Sequence, residues 1–187
     1  MKSSHTLELT FVALFAAIIA VLTLIPLPSI GGVPMTLQTF AVAFCGFLLG
    51  RKKGVGAVGL YLFIGALGLP VFSNLQGGFS KLIGPTGGFL YGFLLMAFFC
   101  GLGLLFRGRR RWVFGILFGT VGLLLCHLCG ILQFMAVMNK TFAQSLWLVT
   151  LPYLPKDLAS VALALALAEV VRKRLPFDPA EAPEKNF

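Results

Sequence analysis

Apolar residues in this 187-residue chain do not alternate with polar ones over short runs; they continue for about the width of a bilayer, and every second run stops at a basic cluster. The first run, 7–25, follows Lys2 and a short polar start. It leads into 26–36, a segment with three prolines, two adjacent glycines and no charge, which has the composition of a loop. A second run, 36–50, opens on Thr36, Gln38 and Thr39 and ends at Arg51, Lys52 and Lys53. The third, 55–72, is rich in glycine. The fourth, 85–106, is followed by Arg107, Arg109, Arg110 and Arg111, and the fifth is 112–138. A mostly apolar connection, 139–155, leads to the sixth, 157–171, whose Ala/Leu alternation has a strand's period but whose richness in alanine favours a helix. The pattern predicts an all-α integral membrane protein of six transmembrane helices. It forms one domain over 1–175, and a polar tail, 176–187, is expected to be disordered.

Composition reinforces this reading. Hydrophobic residues make up 58% of the chain and charged ones 11%, against about a quarter charged in soluble domains. The net charge of +9 would suit nucleic acid if it lined a polar groove, but the basic residues sit at the ends of apolar runs, so no nucleic-acid partner is expected. Placing the amino terminus in the cytoplasm puts twelve of the fifteen basic residues inside and leaves Lys81, Lys140 and Lys156 outside. The positive-inside rule therefore predicts cytoplasmic termini, and the first run is read as a retained helix because no cleavage site follows it. The four cysteines all fall inside apolar runs, where free thiols are ordinary and a disulfide framework is not expected.

That orientation makes the outer face informative, because so few polar residues are left there. Lys81, Lys156 and Asp157 are its charged candidates for ligand contacts, with Thr36, Gln38, Asn74 and Thr86 as neutral ones. Either lysine reads equally well as a lipid headgroup contact. Asp157 is less easily set aside: its alternative role is an N-cap of the sixth helix, common for Asp after Pro, and a cap could also face a ligand. The stretch 77–92, GGFSKLIGPTGGFLYG, sets Lys81 beside a predicted helix start at Pro85. Free amides at Thr86, Gly87 and Gly88 would suit a carboxylate there. Gly84, Gly88 and Gly92 recur every fourth residue, a bare stripe for a neighbouring backbone or a ligand, and Phe89 and Tyr91 are candidates for an apolar wall. Ala13, Ala16, Ala17 and Ala20 give the first helix two overlapping small-xxx-small pairs, suited to packing within the protein or to docking on a partner.

Other chemistries are weaker. Cys126, His127 and Cys129 have the spacing of a metal clip but lack a fourth ligand, so they read as buried core and no metal is expected. No phosphate-cradling glycine loop precedes a Lys-Ser or Lys-Thr pair, so energy for transport would come from another chain. No nucleophile triad or carboxylate pair is visible, and the chain is not read as an enzyme.

Several segments resemble one family. Residues 32–39 (GVPMTLQT), 68–72 (GLPVF), Gly77-Gly78 and 82–93 (LIGPTGGFLYGF) are similar to the BioY family, the biotin-specific substrate-binding components of energy-coupling-factor vitamin transporters. The likeness is specific over about 25–93, looser around 155–160 and absent from the tail. It implies a six-helix substrate-component fold in a bacterial cell membrane, with biotin as transported ligand rather than cofactor and an outward pocket capped by the first outer loop. It also implies partnership with a transmembrane coupling subunit and two ATPase subunits, with Ala13 and Ala17 as candidate docking residues. Two departures stand out. The family's Pro-Gly-Asp start of the last helix reads Pro155-Lys156-Asp157 here, and Ser160 stands where a lysine is usual. Residues 73–76 are also bulkier and more polar than the family's glycine-rich version. Biotin needs an acceptor for its ureido N–H groups, a donor for its carbonyl, an apolar wall and a positive partner for its carboxylate. Asp157 suits the first, Gln38, Asn74 or Thr86 the second, and Lys81 or Lys156 the last. A substrate component for another vitamin, or a small membrane transferase using His127 or Asp157, are the alternatives.

Overall fold

In the computed structural model, which describes residues 2–25, 27–30 and 33–175, every predicted apolar run is largely helical. The tail 176–187 and residues 26, 31 and 32 of the first loop lie outside the described residues. Helix α1 spans Lys2–Thr23. The segment expected to be a plain loop instead forms a two-stranded antiparallel ribbon, β1 Leu27–Ile30 and β2 Val33–Met35, pairing Leu27 with Met35 and Ile30 with Val33. Its prolines hid the strands from a compositional reading. A two-stranded ribbon consists of edges only, and an edge tolerates residues without an N–H.

Helix α2, Gln38–Ala66, is two arms rather than one rod. At Gly50 the backbone takes φ 78° and ψ 174°, a conformation open to glycine and strained for other residues, and the chain doubles back. The reversal is clear from its far end: Gln38 and Tyr61 are hydrogen-bonded at 2.8 Å, whereas 23 residues of straight helix would separate them by about 35 Å. The expected second and third spans are therefore the arms 38–49 and 51–66. After a short 3-10 turn, Ser73–Leu75, come α3 Phe79–Ile83, α4 Gly87–Leu102, α5 Arg109–Met138, α6 Phe142–Val149 and α7 Leu154–Arg174. With α1, the two arms of α2, α4, α5 and α7, the described residues give six long helical segments. Of these, α1 from Thr6, α4 extended to Leu105, and α5 are long and apolar enough to cross a bilayer by length and composition alone.

Helix α6 lies within what reads as a connection. It starts at a capping box in which Thr141 and Gln144 bond each other's backbone N–H, at 3.3 and 3.1 Å. Helix α4 packs between α2 and α5. Its glycine stripe meets backbone: a Cβ at Gly88 would lie 2.2 Å from Cys129 O, and one at Gly92 would lie 2.6 Å from Cys126 Cα. The close approach of α4 to α5 thus accounts for both positions. Gly84 falls before the helix and faces Ser80 O. Phe47, Tyr61, Met96, Leu123 and Leu165 fill the core, while Leu9, Val21, Phe63 and Leu163 project outwards, as the lipid-facing side of a bundle must.

The basic clusters gather at one end. Lys53 pairs with Glu8 at 3.3 Å, Arg111 with Glu169 at 3.3 Å, and Arg172 donates to Phe47 O and Leu48 O at 2.9 and 3.0 Å. These contacts bring together the start of α1, the α2 reversal, the start of α5 and the end of α7. The opposite end is poor in charge.

Candidate functional site

At the charge-poor end a cavity of about 460 Å³ opens between the start of α2, the segment 72–86, α4, α5, α6 and the start of α7. That volume is in the range of small-molecule sites. Thr36, Gln38, Asn74, Lys81, Thr86, Lys156 and Asp157 all line it, so seven of the nine expected ligand-site residues converge on one space.

Asp157 is the centre of its polar side. The residue is 5% exposed, and a carboxylate so buried is tolerable only when paired. Its Oδ1 stands 2.6 Å from Lys156 Nζ and its Oδ2 3.2 Å from His127 Nε2, and the Thr39 side chain lies beside it. A carboxylate offers about four lone-pair sites, so acceptor capacity remains. The capping alternative fails on position. Tyr153 is the N-cap of α7, Pro155 sits in its first turn, and the Asp157 N–H already donates to Tyr153 O at 2.9 Å. Asp157 thus stands inside the helix with its side chain turned to α5.

Lys156 also donates to Thr36 O at 2.9 Å, which ties the start of α7 to the end of the ribbon. Its ammonium is engaged by protein on two sides. Lys81 differs: among the described residues its ammonium has no hydrogen bond or ion pair, and it lines the cavity from α3. Gln38 donates through Nε2 to Tyr61 OH at 2.8 Å, and Tyr61 OH donates in turn to Val71 O at 3.2 Å. That bond uses one of its two amide protons, so Gln38 keeps the other N–H and its carbonyl oxygen for a ligand. Asn74 is held at φ 59°, in the left-handed region that asparagine tolerates, at the rim.

Two expected residues lie elsewhere. Tyr91 is 43% exposed on the outside of α4; two positions beyond Phe89, it is rotated by about 200° from a residue that does line the cavity. Gly87 is buried against α3 and α5, where a Cβ would lie 1.9 Å from Leu82 O. Its N–H donates to Gly84 O at 3.0 Å, so that amide is not free for a carboxylate. Phe89, Leu90 and Phe93 form the apolar wall on α4. His127, weighed at the sequence level as core, metal ligand or transferase group, faces Asp157 and lines the cavity, with the Phe89 ring edge-on at 5.5 Å. No cluster of three or more His, Cys, Asp or Glu suited to a metal occurs among the described residues. Thr39, one residue beyond Gln38, was missed because Asp157 lies more than a hundred positions away.

The BioY family model matches residues 1–177. A probable biotin transporter BioY from Pyrococcus horikoshii is 38% identical over 165 residues, covering 87% of this chain and 94% of the relative. A biotin transporter BioY from Rhodobacter capsulatus is 37% identical over 181 residues, covering 90% and 95%. Among solved structures, the S-component for biotin from an ECF-type ABC transporter superposes with a TM-score of 0.83 at 25% identity, covering 92% of this chain and 94% of that one.

Proposed function

The chain belongs to the BioY family, and from that premise we propose that it is the membrane-embedded biotin-binding component of an uptake transporter, taking biotin from the outer side of a bacterial plasma membrane. The observation that carries the reading is the division of the cavity into a buried carboxylate with spare acceptor capacity, an aromatic wall and an ammonium without a partner among the described residues. Biotin carries the complementary groups: two ureido N–H donors, an apolar ring and chain, and a carboxylate. Asp157 accepts from the ureido ring, with Lys156 and His127 holding it in place. Asn74 or Thr86 donates to the ureido carbonyl, and Phe89 and Phe93 flank the thiophane ring. Lys81 meets the tail carboxylate. ATP hydrolysis is supplied by two ATPase subunits through a transmembrane coupling subunit, which docks on α1 beside Ala13 and Ala17.

Mass spectrometry of ligand released from the purified protein tests the function. Biotin is the expected mass; another vitamin would move the chain to a different substrate, and a covalent product would turn it into an enzyme. Orientation has its own test. In a background with the four native cysteines replaced, Lys81→Cys in intact cells is expected to react with an impermeant thiol reagent, and Arg109→Cys is not. Reversed labelling would place the cavity on the wrong side for uptake.

A further inference from the structure

Gln133 on α5 lies outside the ring of cavity-lining residues, yet its side chain is held at both amide protons. Nε2 donates to Leu82 O at 2.8 Å and to Gly84 O at 2.7 Å. These carbonyls belong to the end of α3 and its cap, where a short helix leaves its last C=O groups without helical partners. Glycine makes the room for this contact: a Cβ at Gly87 would lie 2.5 Å from Gln133 Nε2, and one at Gly88 would lie 2.9 Å from Gln133 Cβ. Helix α3 has five residues, of which Leu82 alone is buried, and it carries Lys81. So short a helix has little intrinsic stability and takes its place from what anchors it.

We propose that Gln133 is a positioning residue for Lys81, and through it a determinant of preference for a ligand with an anionic tail. The carbonyl it holds at Leu82 is one residue from Lys81, and the one at Gly84 precedes Pro85 and Thr86, which also line the cavity. Fixing these points fixes where the lysine stem starts. An ammonium on a four-carbon stem is otherwise free to turn to solvent. The proposal rests on the reading that Lys81 meets the biotin carboxylate.

The test compares biotin with biotinol, the same ligand with an alcohol in place of the carboxylate, by calorimetric titration of purified full-length protein. Wild type is expected to prefer biotin by about ten- to a hundredfold, the range for a charge-assisted contact. Gln133→Met removes both donors at similar volume and is expected to erode that preference several-fold while leaving biotinol binding nearly unchanged. In a Lys81→Met background it should change the preference no further. Gln133→Leu, which also removes both donors and adds no charge, is read in the same way if the methionine variant does not fold. Equal loss of both ligands, or an intact preference in a folded variant, would overturn the positioning role. A preference that survives Lys81→Met would instead remove the lysine reading beneath it.

Discussion

Asp157→Asn is expected to weaken biotin binding by about one to two orders of magnitude, because hydrogen bonds to a charged group contribute about 1.5 to 3 kcal/mol. The substitution is isosteric, and since Asp157 does not cap α7, any change in stability comes from the polar cluster and not from the helix start. Lys156 keeps its bond to Thr36 O, so the ribbon stays tied to α7. What changes is the acceptor: a carboxylate held between Lys156 and His127 becomes an amide that offers one oxygen and directs N–H groups toward other donors. Desthiobiotin, which keeps the ureido ring but lacks the sulfur, should lose affinity in parallel. Calorimetry alongside thermal unfolding separates binding from folding. Unchanged biotin affinity in a normally folded Asp157→Asn protein would take the residue out of the ligand contacts and leave it a purely internal ion pair.

Uptake should fall to background in Ala17→Trp, and in Ala13→Trp, with biotin binding by the purified protein unaltered. On α1 the residues at 9, 13, 17 and 21 form one outward line, while Ala16, turned by about 100° from Ala17, and Ile19 are buried at 3% and 0% exposure. The two small-xxx-small pairs thus part company, with Ala16 serving internal packing and Ala13 and Ala17 lying on an open face. A flat patch of small residues lets another helix approach closely, and an indole at its centre holds that helix off by several ångströms. Assays of uptake in cells and of binding in detergent distinguish the outcomes. If the purified Ala17→Trp protein loses biotin as well, this face serves the bundle and not a partner.

The bundle was legible in the sequence because a membrane imposes long apolar runs and basic ends, and both survive as simple counts. Gly50 was legible only as the end of a run; that the next residue already begins the returning arm depends on one backbone angle. The ribbon was obscured by Pro28 and Pro34. The capping box before α6 was visible as Thr141 and Gln144 but lay in a stretch treated as a connection. At the site, position along the chain carried further than pairing. Lys81, Lys156, Asp157, Thr36, Gln38, Asn74 and Thr86 were found because they are polar residues in a charge-poor half. That Lys156 is engaged depends on a contact to Thr36, 120 residues away, which spacing along the chain does not show. His127 looked like core because its partner Asp157 comes from another helix. Tyr91 was misplaced by helical phase, which a glycine-rich segment without a clear apolar stripe does not reveal.

The reversal at Gly50 also limits how the cavity can move. The two arms of α2 are joined through a single residue at one end, meet where Gly54 faces Gly46, and are latched at the other end by Gln38 and Tyr61. Three points of attachment make the pair a closed frame with almost no internal degree of freedom, closer to a plate than to two rods. Such a plate can tilt but cannot splay. Any widening of the cavity mouth must therefore be taken up by its hinges, above all the stretch from Gly68 to Gly78, where Gly68, Asn74, Leu75 and Gly78 all have positive φ. Gln38 and Tyr61 then travel with the plate and Asn74 with the hinge, while Lys81 stays with α5 through the bonds of Gln133 to Leu82 O and Gly84 O.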